Sequence, residues 1–256
     1  MHPSLLLLTD SRLPAGGHAH SGGVERAVTT GAVHDVPSLA SFLRGRLHTA
    51  GALAAALTAA ACAQAPRAGR DAWQALDAEV DARTAAPAQR DASRTQGRLL
   101  LRVARRIWPA ALLDDLAAAV ASPHHPIALG AAAHVAGATP EEAALAAAYH
   151  SVTGPATAAV RLLGLDPVAV HALLADLTPD LTAVTTVTAT DTFGTAATSG
   201  TAATCGAATC GTAPDCPAGS PAPALQGWAA LPAHSAPALD LLAEQHAQAE
   251  VRLFIS

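Results

Sequence analysis

The 256-residue sequence contains no lysine and no asparagine, and all 15 of its basic residues are arginine. Without an ammonium group there is no P-loop lysine, no Schiff base and no kinase-type strand lysine, so any nucleotide chemistry it joins must be held by another chain. The loss of asparagine as well points to a compositional bias of the genome rather than selection at each site. Aromatic residues make up only 3%, and much of the 51% hydrophobic fraction is alanine. Alanine-rich helices pack through broad, close contacts, a composition that suits an α bundle better than a β sandwich. Four cysteines do not make a disulfide framework. Long apolar runs are missing too. Leu5 to Leu8 is cut off by Thr9, Asp10 and Arg12, too short for a signal-peptide core, and the alanine run 50–63 falls short of the ~20 residues of a membrane span. A cytoplasmic protein without membrane contact is expected. The formal charge of -5 gives no footprint for nucleic acid.

What is present reads as helix. Asp35 and Pro37 open the clearest one, with Leu39, Phe42, Leu43, Leu47, Ala50, Leu53 and Leu57 forming one apolar stripe at three- and four-residue steps while Arg44 and Arg46 fall outside it. Asp71 is a cap for a helix bearing Trp73, Leu76 and Val80. Residues 88–107 form another, whose Arg90, Arg94, Arg98, Arg102, Arg105 and Arg106 are either a solvated face or a partner-binding strip. Thr139-Pro140-Glu141-Glu142 is a capping box that starts a helix, and Gly154-Pro155 should kink or divide it. Asp166-Pro167 starts the next. The reading is all-α, a single helical-bundle domain over 1–184, completed by a helix and tail in 226–256. Between them, residues 185–225 are mainly Thr, Ala, Gly and Pro and carry Cys205, Cys210 and Cys216. Such a segment buries too little to offset its ordering entropy, which predicts a disordered insertion.

The least generic stretch is Leu13-Pro14-Ala15-Gly16-Gly17-His18-Ala19-His20-Ser21-Gly22-Gly23-Val24-Glu25, where the backbone must turn sharply or approach something closely. Ser21 is placed to cap a short helix after it. His18 and His20 supply at most half of a tetrahedral metal site, and Glu25, His34 or another chain would have to complete it. The other reading is structural, with ring N–H groups satisfying carbonyls around the turn. His124-His125, between prolines, stands the same way. Ser21 lacks the strand and Gly-x-Ser-x-Gly context of a nucleophile elbow, and the glycine loop ends in Gly-Gly-Val-Glu where a phosphate loop needs a cation. No catalytic set emerges, so an enzyme is not expected.

This stretch, with Leu5-Leu6-Leu7-Leu8-Thr9-Asp10 before it, resembles the amino-terminal signature of the urease accessory protein UreF family. Gln96-Gly97-Arg98-Leu99-Leu100, Pro123-His124-His125-Pro126-Ile127-Ala128-Leu129-Gly130, Ser235-Ala236-Pro237-Ala238-Leu239-Asp240, His246 and Arg252-Leu253-Phe254-Ile255-Ser256 follow in family order. The resemblance implies an all-α homodimeric scaffold that binds UreD (also called UreH). The pair recruits the nickel-carrying GTPase UreG and docks on apo-urease, with nickel in transit and no tightly bound cofactor. It further implies that both ends bind partners: Gly17, His20, Ser21, Gly22 and Glu25 in the turn, and His246, Arg252, Leu253 and Phe254 at the other end. For Phe254 the residue-level alternative is packing on its own core, and for Arg252 a solvated side chain. A rival function is a stand-alone nickel or zinc buffer built on His18, His20, His34, His48 and the inserted cysteines.

Overall fold

The computed structural model describes residues 3–193, 228 and 231–256. Among these residues the secondary structure is helical throughout, with no strand. In chain order the α-helices are α1 (Pro3–Thr9), α2 (Val24–Thr29), α3 (Val36–Arg46), α4 (Ala52–Gln64), α5 (Arg70–Arg83), α6 (Pro87–Ile107), α7 (Ala111–Ala119), α8 (His125–Val135), α9 (Pro140–Leu163), α10 (Pro167–Asp176), α11 (Thr178–Phe193) and α12 (Pro237–Ala247).

Helix starts follow the local chemistry where polar side chains are free to cap. Asp35 and Ser38 form a reciprocal capping box at α3, Thr139 and Glu142 another at α9, and the Asp166 carboxylate accepts from the Val168 amide at α10. Two expected caps are different. Glycine, not Ser21, precedes α2, and α5 begins at Arg70 after Gly69, which leaves Asp71 inside its first turn.

At the centre lies α4, packed against α8 and α9, with α11 alongside and α6 covering α8. The single stripe expected from Leu39 to Leu57 describes α3 well. In α4, however, ten successive positions from Ala52 are buried with one exception, Ala54. An all-round apolar helix is a core helix, and alanine makes it possible because neighbours can close in from every side. One cluster of buried residues, including Leu57, Trp73, Leu113 and Ile127, lies on one side of α4. A second, including Val24, Leu39, Val152 and Leu177, lies on the other. Glycine permits the tightest approaches. A Cβ on Gly130 of α8 would fall on the Thr58 carbonyl oxygen of α4, and one on Gly97 of α6 would fall on the Pro123 carbonyl oxygen.

The helical run Val36–Arg67 is continuous through a π turn at Leu47–Gly51, and by length and composition it could cross a membrane. Its apolar window is 67% buried inside the chain, however, so it serves as the core helix. Nor does Pro155 divide α9, which runs as one helix to Leu163. Helix α11 runs to Phe193, past the boundary expected at residue 184. The rest of the expected 185–225 insertion, with Cys205, Cys210 and Cys216, lies outside the described residues. The 226–256 stretch joins the bundle through Trp228 and Leu231 in the first cluster and α12 against α6 and α2.

Candidate functional site

Gly22 and Gly23, at φ 60° and 91°, reverse the chain so that α2 starts beside α9 and α12. That reversal brings the two ends of the sequence together. The Ile255 amide donates to the Ala19 carbonyl at 2.7 Å, and the Ser21 amide donates to the Ser256 carbonyl. Glu25, buried in the first turn of α2, accepts from the Leu253 amide at 2.7 Å and the Phe254 amide at 3.1 Å, one carboxylate oxygen for each. A carboxylate offers only acceptors, so it suits two adjacent backbone donors. From α12, His246 donates through Nε2 to the Phe254 carbonyl at 3.2 Å, and its Nδ1 lies 3.7 Å from Glu25. His20 Nδ1 meets Ser256 Oγ at 2.6 Å.

The expected partner-binding residues thus form one composite face, but with two different tasks. His20, Ser21, Glu25 and His246 are buried and hold the tail. Phe254, 6% exposed, is turned inward beneath the Arg161 guanidinium, 4.9 Å from its ring centre, so its anchor serves its own chain. What faces outward is Gly17, Arg252 and an apolar ridge of alternate tail residues, Val251 (87% exposed), Leu253 (74%) and Ile255 (57%).

Arg46 is a functional residue that the helical pattern missed. Pro155 has no N–H to return to the Ser151 carbonyl four residues back, and the Arg46 Nε donates to that orphan at 2.9 Å. Its Nη1 donates to the Gly22 carbonyl at 2.8 Å. One side chain thus ties the π turn, the proline of α9 and the glycine turn together. Burial pushes its pKa down to about 10. The usable signal was the proline: a helix that tolerates one needs a donor for the freed carbonyl.

Beneath this face lies a cavity of about 220 Å³, lined by His18, His20, Arg46, His125, His150 and Phe254 among others. His125 and His150 face each other with ring centres 6.3 Å apart. Burial, then their proximity to each other and to His20, holds His125 down to about 3; burial alone holds His150 to about 4; burial, then His18, holds His20 to about 4.

The pair His124-His125 is therefore split. His124 belongs to a second polar cluster, where its amide donates to Asp77 at 2.8 Å and its Nε2 meets Asp81 at 2.9 Å. Asp77, Asp81 and His124 lie close enough to share a metal ion. Arg94 already occupies that position, donating to Asp77 at 2.9 Å, to Asp81 at 2.5 Å and to the Ser122 carbonyl at 2.8 Å. The cluster is an ion-pair network closed by Arg94, with the His124 Nδ1 left buried and unpartnered. Of the other histidines considered, His34 bonds the Gly31 carbonyl and His48 pairs with Asp180. Neither joins His18 and His20 in the cavity lining.

The UreF family model matches residues 33–178. The chain belongs to the UreF family. It is 51% identical over 176 residues to the urease accessory protein UreF of Mycobacterium sp. (strain JLS), covering 69% of this chain and 80% of that one. It is 49% identical over 176 residues to that of Mycolicibacterium vanbaalenii, with the same coverages. For Mycobacterium marinum the identity is 48% over 187 residues, or 73% and 83% of the two chains. The chain is accordingly a urease accessory protein. The span matched by the family model contains Arg46, His125 and His150 but neither the glycine turn nor the tail.

Proposed function

We propose that this chain is the scaffold of nickel incorporation into apo-urease. It works as a homodimer, holding UreD/UreH against the nickel-carrying GTPase UreG and modulating the GTPase. The observation that carries this reading is the composite terminal face. Glu25, His246 and the turn backbone fix the tail from within, which presents Val251, Leu253 and Ile255 as a preordered apolar ridge with Arg252 beside it. An ordered ridge loses little entropy on docking, and covering its apolar side chains removes exposed apolar surface from water. The absence of lysine supports the division of labour, because the nucleotide is then handled by UreG and the contribution of this chain is geometric.

The test is co-purification with UreD. Leu253→Asp leaves every tail hydrogen bond in place while putting a charge on the ridge, and it should reduce recovery of the complex at least tenfold. Truncation after Glu250 should abolish it. An undiminished complex with both variants refutes the docking role of the tail. A stand-alone buffer would instead bind nickel or zinc stoichiometrically and support urease activation without UreD or UreG.

A further inference from the structure

We propose that the junction of two cavities at Arg46 is a binding site for one small monocarboxylate, with the open arm of the Arg46 guanidinium as its cationic anchor and Gln96 and His125 as neutral donors. The inference stands apart from the docking face and from the urease-maturation reading.

The cavity of about 220 Å³ beneath the glycine turn and a larger one of about 430 Å³ between α4, α6 and α12 share Gly22, Arg46, Gln96 and His125 in their walls. Three observations point to an anion there. First, Arg46 has no counterion. Its Nε and Nη1 donate to the Ser151 and Gly22 carbonyls, and no carboxylate pairs with it among the described residues. Arg83 and Arg94, likewise drawn into the fold, each sit on a carboxylate. The carboxyl group of Ser256, in the wall of the larger cavity, instead accepts from the Ser21 amide. A guanidinium withdrawn from water is costly until an opposite charge answers it. Second, the guanidinium is left uncovered. A Cβ on Gly22 would lie 3.1 Å from both Cζ and Nη2 of Arg46, and glycine keeps that space open. Third, the shared wall offers donors. The Gln96 side chain makes no hydrogen bond among the described residues, so its NH₂ group is unspent. His125 and Pro126 open α8 in the wall of the larger cavity, and no acidic residue stands in that helix's first turn. The helix dipole there favours negative charge.

The surroundings set the character of the ligand. With Nε and Nη1 already bonded, Nη2 is the arm left for it, so one carboxylate oxygen meets Nη2 and the other is free for Gln96 or His125. One unpaired guanidinium balances one negative charge. A dianion would carry a second charge into walls built largely of apolar groups such as Leu53, Leu57 and Leu239, where nothing answers it. In the smaller cavity the only carboxylate is Asp10, and Arg12 already holds it. In the larger one Asp91 stands exposed on α6. At ~30 Å³ per water, about 220 Å³ has room for an acetate-sized ion together with water.

The experiment is isothermal titration of the tag-free full chain with sodium acetate at neutral pH and constant ionic strength, with chloride and phosphate as comparison anions and circular dichroism as a fold control. One acetate per chain should bind saturably and raise the thermal midpoint, and phosphate and chloride should each bind at least about tenfold more weakly. Arg46→Gln should abolish binding. Because Arg46 also ties two carbonyls, the deciding variants are at Gln96, whose side chain bonds nothing among the described residues. Gln96→Leu should weaken acetate at least about fivefold with the fold intact. Gln96→Glu puts the missing carboxylate on the chain itself, so it should abolish acetate binding and leave a thermal midpoint that acetate no longer raises. Arg98→Gln, which removes an exposed cation of the same helix, should change nothing. Equal acetate binding by wild type and both Gln96 variants, phosphate bound as tightly as acetate, or no saturation by about 100 mM acetate overturns the proposal.

Discussion

His124 and His125 are adjacent in the chain and face two differently built polar regions. On the His124 side, two carboxylates, a guanidinium and two backbone groups answer one another, and the acidic pair is spanned by Arg94. Burial lowers the His124 pKa, Asp81 meets its Nε2, and its Nδ1 is left buried without a partner. On the His125 side, three histidines line a cavity, and the His20 Nε2 is buried without a partner. The first arrangement is what a fold does with polar groups it must bury for its own stability. The second gathers imidazoles on a cavity wall, where burial holds them neutral.

The sharpest way to break both regions at once is Gly97→Ala. The new methyl would fall on the Pro123 carbonyl and within 2.8 Å of the His124 carbonyl carbon and the His125 amide nitrogen, all backbone atoms that cannot swing aside. A loss of about 3–5 kcal/mol in urea unfolding is expected, the upper range for an overpacked contact. A loss under about 1 kcal/mol would mean that α6 does not sit as closely as described. Next in size is Arg94→Ala, confined to the His124 side. It strands Asp77, whose side chain is 6% exposed, while Asp81 is open enough to rehydrate. About 2–3 kcal/mol of destabilisation is expected, below the full penalty for a buried orphan because half the network reaches water.

Much of this architecture was legible in the sequence. The capping boxes at Asp35 and Thr139, the all-α class and the helix after Asp166 rest on local chemistry that tertiary packing did not override. The two ends stand out in the sequence, but their union does not, because a contact between Glu25 and Leu253 spans 228 positions and leaves no periodic trace. Phe254 shows the limit of residue type: the same aromatic serves a partner surface or its own core, and only the backbone hydrogen bonds on either side decide which. Arg46 falls outside the apolar stripe, and helical spacing carries no sign of the Ser151 and Gly22 carbonyls to which it donates. The three cavity histidines come from the turn, the start of α8 and the middle of α9, so no spacing motif joined them.

Acid destabilises both regions, and the carboxylate on the His124 side responds in a lower pH window. His20, His125 and His150 are depressed to about 4, 3 and 4, so between pH 6.5 and about 4 the unfolded chain binds protons that the folded chain refuses, and stability falls as pH drops. Each contributes about 1–2 kcal/mol to the difference between pH 8 and pH 5, and His150→Gln should remove that share from the pH profile of unfolding. Burial alone would raise the Asp81 carboxyl, yet its hydrogen bonds from His124 and Arg94 outweigh that and hold it low, so its contribution is present above pH 4 and lost only below. A His150→Gln profile parallel to the wild type down to pH 5 would show that the cavity already admits protons.

The smallest effect concerns the terminal face and tests whether it is a unit separate from the bundle. In Glu25→Gln one tail amide keeps an acceptor, while the other meets the NH₂ group, a donor facing a donor. About 1–2 kcal/mol of local stability should be lost, read as faster hydrogen exchange at Leu253 and Phe254. Exchange in α4 and α9 should stay unchanged, since the carboxylate bonds only the tail. If α4 loosens together with the tail, the ridge is part of the core and its order cannot be tuned separately. If neither moves, the backbone bonds of Ala19 and Ser21 hold the tail without Glu25, and preorganisation of the ridge belongs to the glycine turn instead.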